Sequence, residues 1–403
     1  MRTSVFLYPW DVVGDPDAPA RIAELGVQQV TLASAYHSTR ALTPRHPRHR
    51  VVTAEHAAVL YPPDPARWAG HDLRPYPAGD WAPGDAHGEA AAALTDAGLD
   101  VHTWAILAHS SRLGAEHPAT SVVNAYGDRY PWAPCIARPE VAGYLTELAA
   151  EAAVRPGAHG TELESCGWYG LAHLHAHDKI AGVGLGDAAQ YLMSLCFCSV
   201  CREGYAGLGA EPDELASAVR RALEPGWAAG SAEAGRSGIE KLLGADLAAV
   251  TLDWRGGIAR TFQESAVAAV RAAAGPGFQV LLHADPVPYH TGANAGVDPA
   301  HILGVADGVV LPCAGGAAGT VLPPFVDHRS ASAVPAASAV PAASPVLAAN
   351  FNVVSGMGGS PASLAEDAAR AKELGATELR LYHAGLASDA DLTAVASALS
   401  RLS

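Results

Sequence analysis

Residues 5–9 read VFLYP, residues 18–25 read APARIAEL, and residues 30–34 read VTLAS. The two short apolar runs have the length of buried strands, and the Ala-rich run between them has the length of a helix that stops before Gly26. Strand, helix and strand in so short a span form the unit of a parallel α/β fold. The same alternation recurs along the chain. HGEAAAALTDAG (87–98) precedes the strand VHTWAIL (101–107). Pro139 opens the helix EVAGYLTELAAEAA (140–153), which leads to TELES (161–165). QVLLHA (279–284), GVVLPC (308–313) and VLAANFN (346–352) follow as strands, then the amphipathic run SLAEDAARAKELG (363–375), the strand ELRLYHA (378–384) and a closing helix, DADLTAVASALSRL (389–402). Eight strands alternating with helices predict a single (β/α)8 TIM barrel spanning residues 1–403. The chain is longer than the ~250 residues usual for that fold, so long loop insertions are expected. One is placed at 166–244, after strand four. A second, at 327–345, carries the SAVPAA repeat and is expected to be a flexible Pro/Ala-rich loop. An open doubly wound sheet is the alternative, but no Gly-rich phosphate turn follows the first strand.

Composition narrows the function. With 49% hydrophobic and 17% charged residues in 403, the chain has a globular balance. A formal net charge of −15 argues against nucleic acid and against an anionic membrane surface, both of which call for clustered Lys and Arg. No run reaches the roughly 20 apolar residues of a membrane span. The opening MRTSVFLYPWDVVGDP turns polar too early for a signal peptide, so a cytoplasmic location is expected. Six cysteines in such a chain read as thiols or metal ligands rather than a disulfide scaffold.

In a (β/α)8 barrel the active site lies at the C-terminal ends of the strands. Read in order, those ends supply Asp11, Tyr36, His37, His109, Glu162, Glu164, His283, Asp285, Asn350, Asn352, Tyr382 and His383. Strand four is the sharpest feature. Alternation puts Glu162 and Glu164 on one face and Leu163 on the other, so both carboxylates should point into the barrel. Two neighbouring acids repel, and one of them is expected to hold its proton near neutrality, as glycosidic cleavage requires. The competing reading is an interior ion pair of one Glu, for instance with Arg380. Downstream, CGWYGLAHLHAHDK (166–179) offers Trp168 for stacking on a sugar face, and His177, Asp178 and Lys179 as a substrate-lining loop. Its H-x-H-x-H run could instead bind a metal.

Cys196, Cys198 and Cys201 form a C-x-C-x-x-C cluster that suggests a structural zinc. Cys135 is the first candidate for the fourth ligand and Cys166 the second. Such a cluster after strand four, with a lone Cys from the preceding loop, resembles the zinc site of family forty-two beta-galactosidases. The stretch PWAPCIARPEVAGYL (131–145) resembles the Cys-then-Pro segment of carbohydrate-active barrels of this type. The resemblance covers the middle of the chain and implies that Glu164 is the acid/base at the end of strand four. It also implies a nucleophilic Glu at the end of strand seven, where this sequence reads AANFNVVSG, with Asn350 and Asn352 and no carboxylate.

Taken together, these features predict a glycoside hydrolase acting on a carbohydrate substrate, with no cofactor in catalysis. Glu164 is the expected general acid, and Glu162 or Asp285 the nucleophile or base. Asp11, His37, His109, His283, Tyr382 and His383 would hold hydroxyls or orient the acids. Two alternatives stand beside it. One is a metal-dependent hydrolase or isomerase using His283, Asp285 and Glu164 with His109 or His383. The other is a carbohydrate-binding barrel without catalysis.

Overall fold

A computed structural model of the chain describes residues 1–172, 178–329 and 344–402. Eight strands close into a barrel: β1 (Arg2–Leu7), β2 (Gln29–Tyr36), β3 (Asp100–Ile106), β4 (Ala158–Glu164), β5 (Gln279–Asp285), β6 (Gly308–Pro312), β7 (Val346–Asn352) and β8 (Glu378–Tyr382). Every neighbouring pair is parallel, and β8 pairs with β1 to complete the ring. The predicted TIM barrel is therefore the fold. β2 is buried along its whole length, as expected for a parallel strand covered on both faces.

Alternation sorts the side chains as the sequence reading required. Leu163 of β4 faces outward into the large apolar core shared with the surrounding helices, while Glu162 and Glu164 face inward. Inside the barrel, Leu281, Val310 and Ala348 pack together nearer the N-terminal ends of the strands. Phe6, Tyr8, Tyr36 and Trp104 form a second cluster near the C-terminal ends.

The long connections have their own structure. After β2, Thr39–Leu42 and Val51–Ala54 form an antiparallel hairpin. After β3, Ser121–Val123 and Arg129–Pro134 form another. The segment 166–244 contains the helices Asp187–Met193, Ser199–Gly207, Pro212–Ala229 and Gly235–Leu243, and the 29-residue helix Ala245–Ala273 then returns the chain to β5. Residues 327–329, expected at the start of the loop 327–345, belong to the helix Pro323–Arg329. The SAVPAA repeat itself lies outside the described residues. Among the described residues no helix is long and apolar enough to cross a membrane.

Candidate active site

A cavity of about 1020 Å³ opens at the C-terminal end of the barrel. Nine of the predicted residues line it: Tyr36, His37, His109, Glu164, His283, Asn350, Asn352, Tyr382 and His383. Glu164 is their chemical centre. Its Oε2 accepts hydrogen bonds from Trp104 Nε1 (2.8 Å) and Tyr382 OH (3.2 Å), and His283 Nδ1 stands 3.8 Å away. Both donors hold the same oxygen.

The rings around Glu164 are packed edge to face. Phe6 lies under the site with its centroid 4.8 Å from Trp104 and 4.9 Å from Tyr382. Tyr8 donates to the Tyr36 hydroxyl at 2.8 Å and touches His383 Nδ1 at 3.1 Å. Burial holds His383 neutral, its pKa pushed down to about 3, with His37 nearby adding to the effect. His109 stacks on Tyr169 at 4.5 Å. Two residues among those described have a positive φ without being glycine, Ser165 (55°) and His383 (64°). They directly follow Glu164 and Tyr382. Backbone in this sparsely populated region concentrates at functional sites.

Glu162 stands elsewhere. It is completely buried one level below the cavity, where Arg380 Nε meets its Oε1 at 2.5 Å and Thr31 donates to the same oxygen at 3.2 Å. Ser4 bonds Thr31 at 2.9 Å, and Arg380 reaches Glu378 at 2.9 Å. The expectation that one acid of the pair holds a proton is corrected for Glu162. Burial alone would raise its pKa, but the Arg380 charge, helped by His283, outweighs burial and brings it down to about 2. His283 lies between the two levels, with Nε2 3.6 Å from Glu162 Oε2.

Four other expectations are corrected. Asp285 does not line the cavity: its Oδ1 accepts from Val287 N (2.8 Å) and pairs with His290 Nδ1 (3.0 Å), closing the loop after β5. Asp11 lies behind the end of β8, where Oδ2 accepts from Tyr8 N at 2.9 Å. Burial raises its carboxyl to about 7 against the pull of the Tyr8 N–H and Arg45. Gly385 makes room for it, since a Cβ there would sit 1.8 Å from Oδ2. Trp168 is a packing residue: its Nε1 donates to Arg255 O at 3.0 Å and the Arg255 guanidinium lies 4.9 Å from its ring centre. Asp178 and Lys179, expected in a substrate-lining loop, lie in the insertion without lining the cavity. His177, with His173 and His175, lies outside the described residues.

The cavity also contains residues the sequence reading missed. Asp391 is the second carboxylate in its wall. It bonds Ser355 Oγ at 2.5 Å and forms a reciprocal cap with Ser388: Asp391 N donates to Ser388 Oγ (3.1 Å), and Ser388 N donates to Asp391 Oδ2 (3.3 Å). Burial opposes ionisation, but these donors hold its pKa below the usual value. The pattern Ser388-x-x-Asp391 was the available signal, though it reads as a helix start and carries no hint of a cavity.

His290 bridges two carboxylates, Asp285 and Asp187 (3.1 Å from Nε2), and Tyr289 OH also donates to Asp187 at 2.8 Å. This clasp joins the β5 loop to the insertion. Burial disfavours the imidazolium, but Asp285 and Asp187 more than compensate, so its pKa is raised from 6.5. A raised pKa contributes stability that is full below the unfolded value and disappears as pH rises through the folded one. The melting-temperature difference between wild type and His290→Gln should therefore be largest below about pH 6.5 and fade in alkali. A difference independent of pH would contradict this account.

The four predicted zinc ligands come together. The Sγ atoms of Cys135, Cys196, Cys198 and Cys201 lie within 4.8 Å of one another and all four residues are buried. Cys135 is 3.7 Å from Cys198 and 3.6 Å from Cys201. Zn–S bonds of about 2.3 Å in a tetrahedron place sulfurs about 3.8 Å apart, so the group fits zinc. The Cys198 amide also points at Cys196 Sγ, 3.5 Å away. Cys166 is buried apart from this group, its thiol pushed up to about 12 by burial. The cluster could bind a structural zinc that ties the hairpin after β3 to the insertion. That hairpin supports the cavity through Trp132, whose carbonyl meets His109 Nδ1 at 3.1 Å. Purified protein should contain one zinc per chain by elemental analysis, and Cys198→Ser/Cys201→Ser none. Equal zinc in both would exclude the site.

These geometries can be compared with known proteins. The chain shares its fold with glycoside-hydrolase barrels. It is similar to alpha-L-fucosidase isoenzyme 2 from Paenibacillus thiaminolyticus (TM-score 0.56, 14% identity, 100% of this chain and 49% of that one). It is similar to the catalytic domain of beta-amylase from Paenibacillus polymyxa (0.56, 11%, 100% and 98%). It is also similar to Gan42B, a GH42 beta-galactosidase from G. stearothermophilus (0.52, 11%, 100% and 56%). The chain spans about half the length of the fucosidase and of the galactosidase. No family model and no curated protein matches the sequence.

Proposed function

We propose that the protein is a glycoside hydrolase in which Glu164 transfers the proton to or from the glycosidic oxygen. The observation that carries this reading is the setting of Glu164. It is a nearly buried carboxylate lining a large cavity, with one oxygen, Oε2, fixed by both Trp104 and Tyr382. Tyr8, Tyr36 and Tyr169 supply hydroxyls and ring faces suited to a sugar, and His37, His109, Asn350 and Asn352 supply further polar contacts. Glu162 and Asp285, held by Arg380 and His290, do not serve as nucleophile. Asp391 is the remaining cavity carboxylate, and it would act on water only by giving up its bond to Ser355. Hydrolysis of a mixed panel of aryl glycosides by wild type and Glu164→Gln tests the proposal.

A second reading, a barrel that binds carbohydrate without cleaving it, is favoured by the engagement of Asp391. Sugar binding without turnover, unchanged by Glu164→Gln, would establish it. The metal-dependent alternative has less support. Among the described residues the four cysteines are the one group of three or more potential metal ligands, and Asp285 pairs with His290 and does not line the cavity with Glu164 and His283.

A further inference from the structure

We propose that the outer part of the cavity is an apolar site for the leaving group, so that the substrate is a glycoside of a hydrophobic alcohol, aryl or alkyl, rather than a longer saccharide. The inference rests on the reading of Glu164 given above. Two features of the cavity support it.

The first is the change in chemistry from base to mouth. At the base are Glu164, His283 and the hydroxyls of Tyr8, Tyr36 and Tyr382. Further out the lining is Leu42, Pro44, Met357 and Leu386, with Val354 buried beside them, interspersed with Ser38, Thr39, Arg40, Asn352, Ser355 and Ser388. Further sugar units would be met by flat rings and hydrogen-bonding side chains, because a sugar face stacks on an aromatic face. Aliphatic side chains and a deformable thioether suit an apolar group instead. The volume, about 1020 Å³, is at the upper end of the roughly 300–1,000 Å³ that holds a drug-sized molecule, so a single sugar leaves most of it vacant.

The second is where the chain exposes its large apolar side chains. Among the described residues seven are exposed, and two of them line this cavity, Leu42 (66% exposed) and Met357 (51%), with Val51 (52%) paired across the hairpin from Leu42. Exposed apolar groups clustered at a cavity call for an occupant. The arc is held in shape. Arg45, just beyond Leu42, donates to the carbonyls of Ala384, Gly385 and Ala387, which fixes the hairpin over the loop after β8. Leu386 from that loop thereby stands with Leu42 from the hairpin and Met357 from the loop after β7.

The test is calorimetric binding and hydrolysis of methyl, hexyl and octyl glycosides of galactose, glucose and fucose, below micelle-forming concentrations. Each buried methylene is worth roughly fourfold in affinity. The octyl glycosides should bind at least about tenfold more tightly than the methyl ones to wild type. The gain should vanish in Leu42→Ser/Met357→Ser. It should persist in Leu208→Ser, which changes an exposed leucine that does not line the cavity. A flat series in wild type, no octyl binding at all, or a gain that survives the double variant would each overturn the proposal. A chain-length gain without hydrolysis of any member would leave the apolar site standing and remove the hydrolase reading.

Discussion

Glu164→Gln should lower turnover of an alkyl or unactivated aryl glycoside by about 10²–10⁴-fold, the usual contribution of a positioned acid or base. The amide keeps the size of the side chain and an oxygen that can accept from Trp104 and Tyr382, so the circular dichroism and the melting temperature should barely change. Sugar affinity should also survive, because the loss falls on the transition state and not on the bound ground state. Leaving groups need protonation to different degrees. The defect should be small for an activated nitrophenol and large for an alkyl alcohol. A uniform loss across leaving groups would show that Glu164 acts otherwise than as the acid. Unchanged rates would remove it from the mechanism.

Arg380→Met should destabilise the fold by about 3–5 kcal/mol, the cost of leaving a buried carboxylate without its partner. Glu162 would be that carboxylate, since Arg380 and Thr31 share its Oε1 and the group has no exposure to water. The double variant Glu162→Gln/Arg380→Met should recover a large part of the loss. Acid separates the two proteins further. In wild type the Glu162 pKa is depressed from 4.5 to about 2, so its stabilisation is present above about pH 4.5 and is lost as pH falls towards 2. In Arg380→Met burial acts unopposed by the guanidinium, and protonation relieves the stranded charge. The stability deficit, measured by denaturant unfolding, should therefore be larger at pH 7 than at pH 4. A deficit that grows in acid would refute the account.

The barrel was legible because each strand is a short apolar run set off from its helix by Gly or polar residues, and parity along β4 correctly placed Leu163 outward and both glutamates inward. Parity does not give depth. Glu162 and Glu164 share a face, yet two residues of strand rise, about 6.6 Å, separate a structural ion pair from the base of a cavity. Which level faces solvent depends on Arg380, a strand that joins β4 only through the closed ring. Asp285 was misplaced for a local reason. Its strand ends there, and its carboxylate turns to cap Val287 and meet His290. Trp168 was misread because its partner, Arg255, comes from a helix much later in the chain. Asp391 and Met357 were invisible as cavity residues because one is disguised as a helix cap and the other is an ordinary methionine in a turn. The cysteines were legible because thiol spacing carries its own geometry.

The cysteine group has a consequence for how much active protein a cell holds. Cys135 precedes β4 in the chain, and Cys196, Cys198 and Cys201 follow it, so an ion held by all four closes a ring through the strand that carries Glu164. An ion that binds the folded chain and not the open one shifts the balance between them by mass action. Scarcity of that ion would leave each folded molecule as competent as before while shrinking their number. Metal supply would then be read out as protein abundance, with the turnover of each surviving molecule untouched.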